Sequence, residues 1–361
     1  MPSAKENFHF ACKIKKKNKN IFEVSRETRN ILLTRPANST IILYMIKKQI
    51  IFFAAVLIPI LAGLLSCTRN PQTVNISYIP TPFNLQIMVM KEQRMLEQAF
   101  APLGVDVRWH ELNSGAAQTM AMAAGSLDIA PVINSASVIL ANVAGNPVEI
   151  AALVSRPKQT FALMVGPNGP RTIRELEGKT VAGAKGSVLH QMLIAALVKE
   201  GMKASDIKFI QMDLAEARSA LLANRVDAAL QTSSLIIRNE EAGMCTLFTA
   251  DGYITPLLFT AVRPAFAKNY PKLLRVYLDQ QNKAYDWIIA NPTEAVKIGS
   301  RIHQISMEDG MKLYQWGGLT KVMEAEDVTT LEADVDFLYQ QNMIEQKINP
   351  RTFILPAAFN K

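Results

Sequence analysis

Residues 180–187, TVAGAKGS, run from an apolar segment into a turn where glycine and serine precede a second, longer apolar segment. Residues 180–184 fit a buried strand, and Gly186-Ser187 fits the start of a helix that ends near Gly201. The unit recurs downstream, with strands at 207–212 and 226–230 around a helix at 214–224. Strands alternating with helices predict an α/β fold of parallel sheets with helices on both faces.

The same alternation extends upstream, and a helical region follows downstream. The upstream block contains predicted strands at 74–79, 105–109, 128–130, 149–154 and 160–165, and predicted helices at 85–103, 114–124 and 135–144. Residues 172–179 form a short predicted helix capped by Thr172. The chain after Pro264 is mainly helical, with its best periods at 271–291, 292–303 and 325–341.

Two α/β blocks separated by apolar crossing strands predict two lobes. The crossing, or hinge, strands lie near 160–165 and 257–262, and the helical tail is expected to return to the first lobe. We therefore assign residues 67–165 and 256–361 to lobe 1, and residues 166–255 to lobe 2.

The segment before Cys67 has the features of a bacterial export signal. Lys47 and Lys48 precede an uncharged run at 50–65, and Leu64-Leu65-Ser66-Cys67 resembles a lipobox, whose cysteine is acylated. We predict that 45–66 is a lipoprotein signal peptide and that the mature protein is exported and membrane-anchored through Cys67. An uncleaved membrane anchor is the alternative. Residues 1–44 are expected to be a non-native extension, with translation starting at Met45, or else a disordered tail.

The positive charge of the chain is confined to its beginning. The net charge is +8, but residues 1–48 hold eleven Lys and Arg against three Glu, which leaves 28 cations and 28 anions from Cys67 onward. A neutral mature chain gives no support for a phosphate-binding groove, and no nucleic-acid partner is expected.

Small hydroxyl, amide and glycine residues follow several predicted strands, where helices begin. In open parallel sheets, ligands bind beyond the carboxyl ends of the strands, and helix amino termini there favour anions. Each residue is also an ordinary helix-cap candidate. Together with Phe83, which lies in the first of these turns, they predict a ligand site: Thr81, Phe83, Asn84, Ser114, Gly115, Asn134, Ser135, Gly186, Ser187 and Thr232.

The sequence gives little support for nucleotide binding, metal binding or catalysis. Residues 183–187 lack the G-x4-G-K-S/T spacing of a nucleotide P-loop, and the four histidines lack metal-ligand spacing. His190 either faces a ligand or, as the simpler reading, faces solvent, while Cys245 is expected to be a buried, inert thiol. We predict no cofactor, no metal and no enzymatic activity.

Several segments resemble bacterial solute-binding proteins for nitrate, sulfonates and taurine. Residues 125–130, GSLDIA, are similar to the G-S-x-D segment of that family, and residues 172–182, TIRELEGKTVA, are similar to its T-x-x-D-L-K-G-K-x-V-A segment. Further similarities follow in the same order: Gly186-Ser187, Gly201 with 205–207, 215–221 and 226–229. The matches span residues 74 to about 262, and the signal with Cys67 precedes them.

The resemblance implies a type II periplasmic-binding-protein fold, with two α/β lobes, two hinge strands and a ligand cleft that closes on a small solute. It also implies that the loop after the first strand, Ser114, Asn134-Ser135 and Gly186-Ser187 contact the ligand. The expected function is a lipid-anchored, monomeric binding protein of an ABC importer. Its partners would be a small anion such as a sulfonate, nitrate or taurine, the ABC permease and ATPase, and the membrane.

One segment departs from the family pattern. Sulfonate binders commonly place an aromatic residue, often Trp followed by an acidic residue, after the strand at 226–230, where this chain has Gln231-Thr232-Ser233-Ser234. Gln231 therefore joins Thr232 as a candidate ligand contact, and a ligand held by amide or hydroxyl groups is an open alternative. An enzyme on the same fold, of the menaquinone- or pyrimidine-pathway type, and an envelope sensor without a transport role are the alternative functions.

Overall fold

Two five-stranded sheets organise the computed structural model, which describes residues 71–112 and 114–359. The predictions for the N-terminal extension, the signal peptide and Cys67 lie outside these residues. Within them, no helix is both long and apolar enough to span a bilayer.

The first sheet contains four strands that precede the second sheet in the chain and one strand that follows it. Its members are β1 (Thr73–Tyr78), β2 (Asp106–Glu111), β3 (Ile129–Asn134), β4 (Glu149–Ser155) and β10 (Leu258–Val262). Their order is β2-β1-β3-β10-β4, and β10 runs antiparallel to both of its neighbours.

The second sheet is built from the middle of the chain. Its members are β5 (Phe161–Val165), β6 (Thr180–Gly183), β7 (Lys208–Gln211), β8 (Ala228–Thr232) and β9 (Cys245–Thr249). Their order is β7-β6-β8-β5-β9, and β5 is antiparallel to β8 and β9.

The sheets are mixed, which corrects the expectation of purely parallel sheets. The exception in each is a predicted crossing strand, β5 or β10, because the chain enters each lobe from the other lobe and so runs against its neighbours. Strand β5 is paired within the second sheet, although we placed it in lobe 1. The crossing segments are thus 156–160 and 250–257, and we propose the lobe boundaries there.

Helices cover the sheets largely where the periodicity predicts them. They are α1 (Leu85–Glu92), α2 (Met95–Phe100), α3 (Gly115–Ala123), α4 (Ser135–Val143), α5 (Val188–Lys199), α6 (Leu214–Leu222), α7 (Ser234–Glu241), α8 (Pro264–Asn269), α9 (Pro271–Ala290), α10 (Pro292–His303), α11 (Met307–Trp316) and α12 (Ala325–Gln340). The single helix predicted over 85–103 is broken at Arg94, whose φ is +53°. The short helix near Thr172 is a 3₁₀ turn at Arg174–Leu176.

The helical tail packs against the helices that cover the first sheet. Tyr277 of α9 is fully buried in the same apolar cluster as Ile87 and Met88 of α1, and Val328 and Leu331 of α12 are buried with Ile139 of α4. We therefore propose that both ends of the described residues belong to lobe 1 and that lobe 2 is inserted between them.

Candidate functional site

A small cavity lies between the two lobes at the carboxyl ends of β1 and β3. Its volume is about 60 Å³, well below the ~300–1,000 Å³ of typical ligand pockets. Lobe 2 contributes Phe161 and Val188, and lobe 1 contributes the remaining residues: Ile79, Thr81, Pro82, Gly115, Gln118, Val132, Ile133, Asn134 and Leu258. Residues of both lobes thus meet at one small cavity.

Three helices begin around this cavity, each with a polar cap. Ser114 Oγ accepts a hydrogen bond from Ala117 N (3.1 Å), and Asn134 Oδ1 accepts one from Ser137 N (2.9 Å). Ser187 caps α5 in the same way, directly before the cavity residue Val188. Each cap occupies a third-position amide, so the positive end of each helix dipole still points at the cavity. The first N–H of α4, that of Ser135, is already paired with Leu257 O (3.1 Å), whereas those of Gly115 and Ala116 in α3 have no partner among the described residues.

The amino termini of α3 and α4 are in direct contact at Gly115. A Cβ atom there would lie 2.3 Å from Ser137 Oγ and 2.6 Å from Ser137 Cβ. Only glycine allows this close approach, which brings the first turns of both helices to one side of the cavity.

The cavity wall is neutral, and its polar groups are held in place. Gln118 is buried one turn after Gly115 and accepts a hydrogen bond from Ser77 Oγ (2.6 Å), while its Nε2 donates to Val132 O (3.1 Å). The lining side chains are apolar or uncharged. An anion here would be held by backbone amides and helix dipoles, as happens at many helix amino termini.

Among the residues of the loop after β1, some line the cavity and others hold the loop in place. Thr81 and Pro82 line the cavity, whereas Asn84 donates both hydrogens of its amide group, to Ile79 O and Thr81 O (2.8 Å each), and so fixes the loop. Phe83 is buried against His303, with ring centroids 5.2 Å apart.

The predicted residues of lobe 2 lie beside the cavity and do not line it. Gln231 and Thr232 are buried, and they donate hydrogen bonds to Leu214 O and Thr160 O. Gly186, with φ +72°, packs near Leu140 of α4 and borders a separate open groove of about 750 Å³. Thr81, Gly115 and Asn134 are the predicted residues that the structure brings together at the cavity.

Ser135 points to a residue that sequence reasoning missed. Its hydroxyl donates to the carboxylate of Asp334 (2.7 Å), and Gln191 of lobe 2 donates to the other oxygen of that carboxylate (2.5 Å). Burial raises the pKa of Asp334 to about 6, and the two hydrogen bonds offset part of this effect. The sequence around Asp334 does not indicate this role, because the two partners of Asp334 are 143 and 199 residues away along the chain.

Two other residues differ from their sequence predictions. His190 is buried against Phe209 (4.7 Å between ring centroids) and does not face solvent; burial, helped by the charge of Lys185, lowers its pKa to about 4. Cys245 is a free thiol that is half-buried rather than buried. In the described ranges, no cluster of three or more His, Cys, Asp or Glu residues could hold a metal ion.

Comparison with known proteins places these features in context. The family model described as "NMT1/THI5 like" matches residues 100–295. A protein of Bacillus subtilis (strain 168) with the name "Putative aliphatic sulfonates-binding protein" is 29% identical over 276 residues, covering 74% of this chain and 82% of its own length. The taurine-binding periplasmic protein of Escherichia coli (strain K12) is 24% identical over 231 residues, covering 60% of this chain and 68% of its own.

The fold matches solved binding proteins. The alkanesulfonate-binding protein SsuA from Xanthomonas axonopodis pv. citri, solved bound to MOPS, superposes with a TM-score of 0.71 at 20% identity, covering 79% of this chain and 98% of its own. The periplasmic aliphatic sulphonate binding protein SsuA from Escherichia coli gives a TM-score of 0.68 at 19% identity, covering 81% and 94%. The two-lobe periplasmic-binding-protein fold predicted from the sequence is confirmed.

Proposed function

The chain belongs to the NMT1/THI5-like family, and on that premise we propose that it is the exported solute-binding protein of an ABC importer. Its ligand would be a small anion of the sulfonate or taurine type, held between the two lobes. The relatives named above as sulfonate- and taurine-binding proteins support this ligand class.

One observation carries the proposal: the capped amino termini of α3, α4 and α5 meet at a neutral cavity formed by both lobes. The N–H groups of Gly115 and Ala116 have no hydrogen-bond partner among the described residues. A tetrahedral anion can accept from several such groups at once, and the dipoles of the helices favour its charge.

The crossing segments provide a hinge for closure over the ligand. At one end, Arg156 N donates to Gly318 O (2.9 Å) and its guanidinium binds Asp327 of α12, which fixes residue 156 to lobe 1. At the other end, Ser233 N donates to Thr160 O (3.0 Å), which fixes residue 160 to lobe 2. Residues 157–159 are therefore the place where the first connection would bend. Ligand contacts made only when the lobes meet would shift the equilibrium towards the closed form.

The proposal includes delivery to a membrane complex. A permease that binds the closed form better than the open form would receive the solute, and acylation of Cys67 would keep the protein at the membrane surface as a monomer. These parts rest on the family relationship and on the signal-like sequence before Cys67.

Calorimetry of the purified protein tests the ligand class. We expect heat of binding with taurine or an alkanesulfonate, and nitrate and thiamine-precursor pyrimidines serve as competing candidates. Asn134→Ala removes a helix cap that also lines the cavity, so it should weaken binding at least tenfold. Asp213→Ala is the matched control. The carboxylate of Asp213 caps α6 by accepting a hydrogen bond from Glu216 N, and Asp213 does not line the cavity. No heat with any of the four ligand classes would contradict the proposal.

A further inference from the structure

Asp334 lies at a junction of three helices from both lobes. It is on α12, it accepts from Ser135 at the start of α4, and it accepts from Gln191 in the first turns of α5. All three side chains are buried, with 7%, 1% and 1% of their surfaces exposed. Because α4 and α12 pack on lobe 1 and α5 packs on lobe 2, the Gln191–Asp334 hydrogen bond connects the lobes.

The junction is also next to the cavity. Ser135 follows the cavity residue Asn134, and Gln191 is one turn after the cavity residue Val188. Separation of the two lobes at this cavity would pull Gln191 away from Asp334. By contrast, the hydrogen bond between Ser234 and His303 lies beside the crossing segment at Thr160, so a bend at residues 157–159 would displace it less.

We propose that Asp334 is a positioning residue for closure, joining the lobes through Gln191 only when the cleft is shut. Both partners donate, and an ionised carboxylate accepts from both, so the triad is chemically matched. This inference rests on the proposed function, since it assumes that the lobes open and close.

The charged groups on the helices around Asp334 are few, and most are paired with a residue of opposite charge. Helix α4 has no charged residue, and α5 carries only His190 and Lys199. On α12, Asp327, Glu332 and Asp336 are paired with Arg156, Arg351 and Lys347, and Glu326 lies at the exposed start of the helix. Closure buries the carboxylate and raises its pKa, so protonation should favour the closed form.

The test measures lobe separation without any ligand, so it is independent of the solute that the protein binds. Spin labels are placed at Met120→Cys on lobe 1 and Ile210→Cys on lobe 2, both exposed, in the full chain with Cys12, Cys67 and Cys245 replaced by serine. The distance distribution is recorded by pulsed electron paramagnetic resonance from pH 4 to pH 8.

We expect a closed component whose ratio to the open one falls as the pH rises through about 4 to 6. Gln191→Met removes the donor while keeping the size of the side chain, and it should lower the closed-to-open ratio at pH 7 about tenfold, because a hydrogen bond to a charged group is lost. Asp334→Asn should make the ratio independent of pH in this range. Asp336→Asn, two residues along α12 in an exposed pair, is the control and should match the parent chain.

Three results would overturn the proposal: an unchanged ratio in Gln191→Met, an unchanged pH dependence in Asp334→Asn, or no closed component at any pH. If the distances behave as expected but calorimetry detects no ligand, the closure role stands and the proposed function fails.

Discussion

Asp128, the acidic residue of the GSLD segment, lies inside lobe 1 and serves the fold. Its carboxylate accepts from the backbone and side-chain nitrogens of Asn75 (2.9 and 3.3 Å) and pairs with Arg263. The backbone of Arg263 donates in turn to Asp128 O (2.9 Å). One carboxylate thus joins β1, the start of β3 and the end of β10, which explains why an acidic residue stands at this point of a family-like motif.

Replacing Asp128 should therefore cost stability. Asp128→Ala leaves Arg263 without its partner in a mostly buried site, and we expect the free energy of unfolding to fall by about 3–5 kcal/mol. Guanidinium denaturation measures the change. Asp336→Ala, which breaks the exposed pair with Lys347, should cost under about 1 kcal/mol. Equal losses in the two variants would contradict the role given to Asp128.

Gly115 sets the distance between two helix amino termini. Gly115→Ala would push the new Cβ against Ser137, and forced overpacking of this kind costs about 1–3 kcal/mol. We expect that loss in denaturation, together with weaker ligand binding. Gly166→Ala is the matched control, since its Cβ would meet nothing closer than 3.9 Å. Equal free energies of unfolding for the two variants would contradict the claim that the helices are too close at Gly115 to admit a Cβ atom.

At the scale of elements, α5 and α12 bring two buried ionisable groups into the structure with opposite effects. Burial raises the pKa of Asp334 to about 6 and lowers the pKa of His190 to about 4. The folded protein binds a proton at Asp334 more tightly than the unfolded chain does. The contribution of this group to the free energy of unfolding therefore falls as the pH rises from about 4 to 6. His190 does the reverse: below its ordinary pKa the unfolded chain gains a proton that the folded state resists.

Two variants should separate these effects. Relative to the parent protein, Asp334→Asn should gain stability as the pH rises from 4 to 6, and His190→Leu should gain stability as the pH falls from 6.5 to 4. Each difference should approach about 3 kcal/mol, from roughly two pKa units at 1.36 kcal/mol per unit. Urea denaturation at half-unit pH steps measures both. Parallel curves for parent and variants would show that these groups do not titrate as described.

At the scale of the whole molecule, we predict membrane attachment through Cys67, a residue outside the described ranges. If Cys67 is acylated, Cys67→Ser should move the protein from the membrane fraction to the soluble fraction of fractionated cells. Cys245→Ser, which changes a half-buried thiol in β9, should leave the distribution unchanged. A Cys67→Ser protein that stays with the membrane would favour the uncleaved-anchor alternative.

Features that depend on neighbours along the chain could be predicted from the sequence, and features that depend on distant residues could not. Local periodicity and caps located α3, α4, α5 and α10 to within about a residue, because those signals depend on neighbours along the chain. The antiparallel direction of β5 and β10 depends on where the chain returns from, and no local pattern contains that information. At the site, Thr81, Gly115 and Asn134 were found as turn residues. Phe161, Val188 and Asp334 were missed because apolar walls and distant partners look like ordinary core positions.

In the proposed lobe division, lobe 2 is joined to lobe 1 by two short segments, 156–160 and 250–257, and both ends of the described residues belong to lobe 1. We expect that such an insertion can be replaced as a unit. The middle segment of a relative, inserted between Ser155 and Leu258, would contact the rest of the protein mainly where the two lobes face each other. A graft lacking a donor equivalent to Gln191 would set an unsatisfied carboxylate against the new surface. Hybrid proteins could thus divide the recognition of a solute between its two halves.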